Sequence, residues 1–150
     1  MRFLLDVNTV LALLDPQHVF HELAHSWAEV VPDAMWLTCP IVQNGVIRVA
    51  SQPAYPNSLG TASAVREVLE DFCASPRHEF CPDDISLVDD GRLVRPELFA
   101  ASRVTDLYLL ALAKHHGAKL ATLDRRIPVD AIAGGAETLS LITVERGRER

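Results

Sequence analysis

Apolar residues follow two different patterns along this chain, and the two patterns predict two kinds of element. Short segments, most of them continuously apolar, are typical of buried strands. Segments whose apolar residues recur every three or four positions are typical of helices with one buried face. The predicted strands cover residues 2–5, 35–38, 79–81, 119–123 and 139–144.

Helical spacing appears between most of these strands. The clearest helix has Thr105 as its predicted cap and Asp106 in its first turn, and Gly117 closes it after two histidines. The region 82–103 is polar, with only a helical turn predicted at 85–89. The other predicted helices cover residues 9–14, 18–31, 40–50 and 62–72.

This alternation of helices and strands predicts the fold class. A strand that returns parallel to its neighbour needs a crossover, and a helix usually supplies it. We therefore expect an α/β fold, a three-layer α/β/α sandwich around a parallel sheet. With 150 residues, the chain has the length of one domain, spanning 1–150.

Composition and charge narrow the functional classes. The chain is 49% hydrophobic and 23% charged, which is typical of a globular domain with a core. No segment has the length of a membrane span, and three cysteines without pairing spacing indicate reduced thiols in the cytoplasm. The net charge of −6 argues against a protein that binds nucleic acid through a basic surface. That objection weakens if some of the carboxylates bind divalent cations, because the bound ions then supply the positive charge that faces the phosphates of the nucleic acid.

Three aspartates are the candidate chemical site. Asp6 and Asp124 each follow an apolar strand, and ligands of open α/β sheets bind beyond the carboxyl ends of strands. Asp106 opens the helix that leads to the strand before Asp124. Three carboxylates in one cleft repel one another unless a cation such as Mg²⁺ neutralises them.

Each aspartate also has a structural explanation, which the sequence leaves open. Asp106 fits a helix N-terminus, where a negative charge complements the helix dipole. Asp6 fits the start of the next helix, and Asp124 fits a turn before Arg125 and Arg126. All three aspartates lie at an end of a predicted strand or helix, and this shared placement favours a functional site.

The segments 4–9, 39–45, 104–109 and 120–125 resemble the motifs of the PIN domain, particularly the VapC-type toxins of bacterial toxin–antitoxin pairs. The resemblance runs over nearly the whole chain in the correct order. It implies a five-stranded parallel sheet and RNA cleavage that depends on Mg²⁺ or Mn²⁺, with the three aspartates as catalytic metal ligands. It also implies a homodimer and a small antitoxin protein as partner.

One position departs from the family's pattern. The second acidic position of the family is usually Glu, and the matching residue here is Gln43, whose amide oxygen can ligate a metal but brings no charge. This predicts weaker binding of one ion, a one-ion site, or a weakened enzyme. The same resemblance gives Asn8 and Thr105 the role of orienting ligands, with helix capping as the alternative for Asn8. Arg48, Arg125 and Arg126 are candidate RNA contacts or plain surface residues.

Three alternatives remain at this level. His18, His21 and His25 share a predicted helix face, which suits zinc, although solvated histidines explain them as well. A phosphotransfer enzyme of the haloacid-dehalogenase type also places Asp after its first strand, but Asn8 stands where that class usually has a second Asp. The third alternative is a PIN fold that only binds a partner, which Gln43 makes plausible.

Overall fold

The computed structural model describes residues 1–89 and 91–143. The helices are α1 (Val7–Leu14), α2 (His21–Glu29), α3 (Pro40–Ala50), α4 (Ala62–Cys73), α5 (Val104–His115) and α6 (Gly135–Thr138). The strands are β1 (Arg2–Leu5), β2 (Met35–Thr38), β3 (His78–Phe80), β4 (Lys119–Thr122) and β5 (Leu139–Leu141). The five strands form one parallel sheet in the order β3-β2-β1-β4-β5.

The strand order reverses direction between β1 and β4. Successive strands first step outward through β2 to β3, and the chain then returns across the sheet to β4 and β5. Because crossovers between parallel strands are right-handed, the helices before and after this return cover opposite faces. The predicted five-stranded α/β/α architecture is confirmed, and the β1–β4 boundary is its topological switch point.

The central strands are apolar because both of their faces are covered. Leu4, Leu5 and Leu120 are fully buried, as are the consecutive leucines of α5 that lie against the sheet. Trp36 of β2 is also buried and contacts Phe3 and Trp27, so it is a core residue. No helix among the described residues is long and apolar enough to cross a membrane.

Several element ends differ from the prediction. The helix predicted at 18–31 begins at His21, because the chain turns at 16–20 before the helical hydrogen bonds start. The third strand is shifted one residue toward the N-terminus, to His78–Phe80. The helical turn predicted at 85–89 is wrong: residues 87–88 form a turn, 89 is a bend, and 85–86 have no regular structure. The last strand is Leu139–Leu141, and residue 144 of the prediction lies outside the described residues.

Gly45 allows α3 to approach α1 closely beside the switch point. A Cβ atom at Gly45 would lie 2.7 Å from Cγ2 of Val7, closer than two carbon atoms can pack. Val7 directly follows Asp6, so this contact fixes the start of α1 against α3.

Asp15 fixes the other end of α1. Its buried carboxylate accepts hydrogen bonds from Tyr55 Oη at 2.5 Å, Asn57 Nδ2 at 2.8 Å and the Gln17 N–H at 3.0 Å. Burial raises the pKa of Asp15, but these hydrogen bonds outweigh it and hold the pKa below its usual value. The carboxylate therefore ties the loop after α3 to the end of α1.

Candidate active site

Asp6 lies at the carboxyl end of β1, beside the switch point, and is only 8% exposed. It is also the N-cap of α1, since its Oδ1 accepts a hydrogen bond from the Thr9 N–H at 2.9 Å. Capping and a site role are therefore compatible here. The cap leaves the other oxygen, Oδ2, facing toward β4.

Thr122 connects Asp6 to Asp124. Its hydroxyl donates to Oδ2 of Asp6 at 2.6 Å and accepts the N–H of Asp124 at 3.0 Å. The strand predicted to run to Leu123 ends at Thr122, so Asp124 lies two residues beyond β4 rather than directly after it. One hydroxyl thus holds the two strand-end aspartates in a fixed relation.

Arg103 connects Asp124 to Asp106. Its Nη1 donates to Asp124 Oδ2 at 3.0 Å and to Asp106 Oδ2 at 3.3 Å. The side chains are 21% exposed for the arginine and 26% and 28% for the two aspartates. A single cationic nitrogen therefore lies between two carboxylates, as a metal ion between two ligands would.

The protonation equilibria of the cluster differ from one aspartate to the next. Burial raises the pKa of Asp6, the hydrogen bonds from Thr122 and Thr9 oppose this, and the charge of Asp106 adds to the rise. At Asp124, burial also raises the pKa, but hydrogen bonds from Arg126 and Arg103 outweigh it and lower the pKa. Asp6 is thus the carboxylate whose charge has no cation in contact with it, and a bound cation would compensate it.

Helix α5 begins differently from the prediction. Thr105 is exposed and lies inside the first turn, and the N-cap position belongs to Arg103, whose side chain makes no capping hydrogen bond. The predicted Thr105 cap is wrong because the short 3₁₀ helix Ala101–Arg103 leads directly into α5, with Val104 already in helical conformation. Asp106 is in the first turn, as predicted.

Asn8 lies exposed in the first turn of α1, next to the aspartates. The capping alternative for Asn8 is wrong, because Asp6 occupies the N-cap position and bonds the N–H that a cap would satisfy. Asn8 and Asp124 line the same cleft. Its role in orienting ligands stays a prediction.

Gln43 is hydrogen-bonded to the end of β2 through its amide nitrogen. Its amide Nε2 donates to Thr38 Oγ1 at 2.9 Å and lies 3.9 Å from Cys73 Sγ. Thr38 Oγ1 also bonds His78 Nε2 at 2.7 Å. This small polar cluster beyond β2 holds the Gln43 amide in place, and no hydrogen bond joins it to the three aspartates.

Two residues of the cluster, Thr122 and Arg103, are not apparent from the sequence pattern. Thr122 reads as an ordinary strand residue, although a polar residue in an apolar strand two positions before an aspartate is a usable signal. Arg103 ends a polar region without periodicity, three residues before Asp106. Its i, i+3 spacing to Asp106 is the signal for an ion pair at a helix start.

The histidines do not form the alternative zinc site. His18 precedes α2 rather than sharing its face, and His21 Nδ1 and His25 Nε2 bond the carbonyl oxygens of Ala12 and Leu13. Across residues 1–89 and 91–143, one group places three potential ligand atoms within 4.8 Å of one another: Asp84, His115 and His116. These three lie at the C-terminal end of α5, away from the aspartates.

The aspartate cluster fits a hard divalent cation by its chemistry. The donors are carboxylate oxygens, which Mg²⁺ and Mn²⁺ prefer, and no cysteine or histidine belongs to the cluster. Its oxygens do not all lie within 4.8 Å of one another. The fit therefore requires Arg103 to release Asp106 and Asp124, since its guanidinium lies between them.

A parallel α/β domain with an acidic cluster at its switch point is the class that fold and site define. Within this class, a sequence model of the PIN domain matches residues 3–133. The chain therefore belongs to the PIN-domain family, and the predicted family is confirmed.

The relatives of the chain are similar over most of their length. Ribonuclease VapC44 of Mycobacterium tuberculosis is 41% identical over 137 residues, which are 91% of this chain and 96% of that protein. Ribonuclease VapC38 of the same organism is 38% identical over 81% of this chain and 84% of its own length. These relatives support the PIN-type interpretation over the haloacid-dehalogenase alternative.

A solved structure has the same fold. It is the crystal structure of VapBC2 from Rickettsia felis bound to a DNA fragment from their promoter. One of its chains superimposes with a TM-score of 0.52, covering 85% of this chain and 94% of that chain at 16% identity. At this identity the likeness shows the fold alone.

Proposed function

We propose that this protein is a metal-dependent ribonuclease of the VapC type, the toxin of a toxin–antitoxin pair, which cleaves RNA phosphodiester bonds. The observation that carries the proposal is the joining of Asp6, Asp106 and Asp124 through Thr122 and Arg103 at the switch point of a PIN fold. Relatives called ribonucleases at up to 41% identity support the reaction class.

In this proposal, the three aspartates hold Mg²⁺ or Mn²⁺. The ion supplies positive charge that activates water and stabilises the charge developing on the scissile phosphate. Asp6 is the fixed ligand, because α1 and β4 both bond it, and Asp124 is placed by the same Thr122 hydroxyl. Asp106 completes the set once Arg103 has moved.

Three further residues are assigned supporting roles. Asn8 and Thr105 are exposed beside Asp6 and Asp106 and are free to orient water or substrate around them. Gln43 replaces a charged ligand with an amide. The bond to Thr38 uses only the amide nitrogen, so the amide oxygen can still ligate an ion or orient a water. Because this oxygen brings no charge, we propose weaker binding of one ion or a single-ion site.

The partners and setting follow from the same proposal. VapC-type toxins are paired with an antitoxin, so the similarity to relatives named VapC supports a small antitoxin protein as partner. We also propose a homodimer that acts in the cytoplasm. The three cysteines, Cys39, Cys73 and Cys81, are free thiols, which suits a reducing compartment.

A second candidate function is a PIN-fold module that binds RNA or protein without cutting it. The observation favouring it is Gln43, which leaves the cluster one carboxylate short of the family's usual four. Such a module needs no carboxylate-bound ion, so its properties would not change when Mg²⁺ is added or removed.

An RNA-cleavage assay separates the two candidates. We expect the wild type to cleave RNA with Mg²⁺ or Mn²⁺ and to stop when the ions are chelated. Asp106→Asn should lose this cleavage, because it removes a charge from the cluster and keeps the side-chain size. Asp33→Asn is the matched control, since Asp33 is an exposed aspartate in the connection before β2. If wild type and Asp106→Asn behave alike with and without metal, the enzyme proposal fails and the binding module stands.

A further inference from the structure

A cleft of about 580 Å³ opens directly beside Asp124. Its walls come from three segments: the start of α1, the loop before α2 and the loop after β4. Its volume lies within the range of roughly 300–1,000 Å³ that is typical of ligand pockets. The residues that bear on its chemistry are Asn8, His18, Phe20, Asp124, Arg125 and Arg126.

Phe20 presents an aromatic ring to this cleft. Its side chain lies in the loop before α2 and the residue is 43% exposed, although aromatic residues are mostly buried. The backbone of Phe20 is fixed, because its N–H donates to His18 Nδ1 at 3.1 Å and its carbonyl accepts the Ala24 N–H at 2.9 Å. The backbone that carries the ring is thus anchored, and the side chain remains partly exposed.

His18 adds a second ring beside Phe20. The two ring centroids are 6.0 Å apart with their planes inclined at 42°. Because His18 Nδ1 accepts the Phe20 N–H, the imidazole is neutral in this arrangement, and burial lowers its pKa in the same direction. Two uncharged rings therefore line one wall of the cleft.

The loop after β4 brings positive charge to the same cleft. Arg125 is exposed and forms no ion pair with any residue in 1–89 or 91–143, and Arg126 is exposed and pairs with Asp124. A cleft lined by both aromatic rings and guanidinium groups matches a nucleotide, whose base stacks on rings and whose phosphate attracts cations.

We propose that this cleft binds one unpaired nucleotide of an RNA strand, with its base stacked on Phe20 beside His18 and its phosphate facing Arg125. The inference rests on the proposed function, because the strand whose scissile phosphate lies at the aspartates must continue past Asp124 into the cleft. It adds a base-binding subsite: the nucleotide bound here is unpaired and unstacked, since the faces of bases within a duplex are covered by their stacked neighbours.

The test compares RNA with and without bases on a protein that does not cut it. The parent is Asp106→Asn in the presence of Mg²⁺, and the probes are fluorescein-labelled oligoadenylate and an abasic ribose-phosphate oligomer of equal length. Base–aromatic stacking changes affinity by about 5- to 150-fold. We expect the parent to prefer oligoadenylate by a factor in this range, as judged from fluorescence anisotropy.

The variants assign that preference to the ring. Phe20→Leu keeps an apolar side chain but loses the flat face, so the preference for oligoadenylate should disappear. Phe20→Trp should keep it. Phe80→Ala is the control, because Phe80 is 56% exposed on the edge strand β3. This variant should prefer oligoadenylate to the same extent as the parent.

Two results would overturn the inference: equal binding of both probes by the parent, or an unchanged preference in Phe20→Leu. Failure of the proposed function gives a different pattern. In that case the wild type cleaves no RNA, while the parent still prefers oligoadenylate through Phe20. If the wild type cleaves RNA and the probes bind equally, only the nucleotide cleft is wrong.

Discussion

Thr122→Val removes one hydroxyl from beneath the aspartate cluster and changes almost nothing else. The side chain is fully buried, and valine has nearly the same shape, so the variant should fold. What disappears is the 2.6 Å hydrogen bond to Asp6 Oδ2 and the acceptor for the Asp124 N–H. The perturbation therefore tests the support that one hydroxyl of β4 gives to both strand-end aspartates.

The expected magnitude follows from the charge on Asp6. A hydrogen bond to a charged group contributes about 1.5–3 kcal/mol, and losing a partner that orients a metal ligand typically costs about 10- to 100-fold in affinity. We therefore expect Mn²⁺ to bind Thr122→Val about 10- to 100-fold more weakly than the wild type. The hydrogen bond also lowers the pKa of Asp6, so its loss raises that pKa further. The pH at which Mn²⁺ binding is half-maximal should accordingly move upward.

Isothermal titration of the metal-free protein with Mn²⁺, repeated across a pH series, measures both effects. Thr122→Ser keeps the hydroxyl and should bind Mn²⁺ almost as the wild type does. Equal Mn²⁺ affinity in Thr122→Val and wild type would refute the idea that Asp6 is a metal ligand held by Thr122.

Three further predictions concern the same framework. Arg103→Gln should bind Mn²⁺ more tightly than the wild type and melt at a lower temperature without metal. The substitution frees the two carboxylates that Arg103 bridges and leaves them to repel each other. Weaker Mn²⁺ binding in calorimetry would contradict this. Asp15→Asn should lose about 1.5–3 kcal/mol of unfolding free energy in urea at neutral pH. The pKa of Asp15 is lower in the folded protein than in the unfolded chain, where it is about 3.9. The ionised carboxylate therefore stabilises the fold above a pH of about 3.9, and this stabilisation is lost as the pH falls through the folded pKa. The variant should accordingly lose less stability than the wild type on acidification. Gly45→Ala should lose about 1–3 kcal/mol, because its Cβ overlaps Val7, and an unchanged melting temperature would show that the helices separate freely.

The strand-end aspartates were predictable from sequence because their positions follow from the fold class. Asp6 and Asp124 each come after an apolar segment, and the carboxyl ends of neighbouring parallel strands converge. Asp106 is different, since a first-turn aspartate is common in any helix and its assignment depended on the resemblance to the PIN domain.

The contacts that join the aspartates were not predictable in the same way. Thr122 acts on Asp6 across 116 positions of sequence, and Arg103 acts on Asp124 across 21. Such contacts depend on the strand order, which apolar patterning does not specify. The predicted cap of α5 is wrong for a related reason. The sequence pattern favours Thr105 as the cap, but a 3₁₀ helix leads directly into α5, so the helix begins at Val104.

We propose that Asp6, Asp106 and Asp124 together hold a divalent cation. Anomalous scattering at the manganese edge from a Mn²⁺-soaked crystal tests this most directly. We predict a peak within coordination distance of all three carboxylates, with the Arg103 guanidinium displaced from Asp106 and Asp124. A peak only at Asp84, His115 and His116, or an aspartate cluster still bridged by Arg103 and without a peak at saturating Mn²⁺, would contradict it.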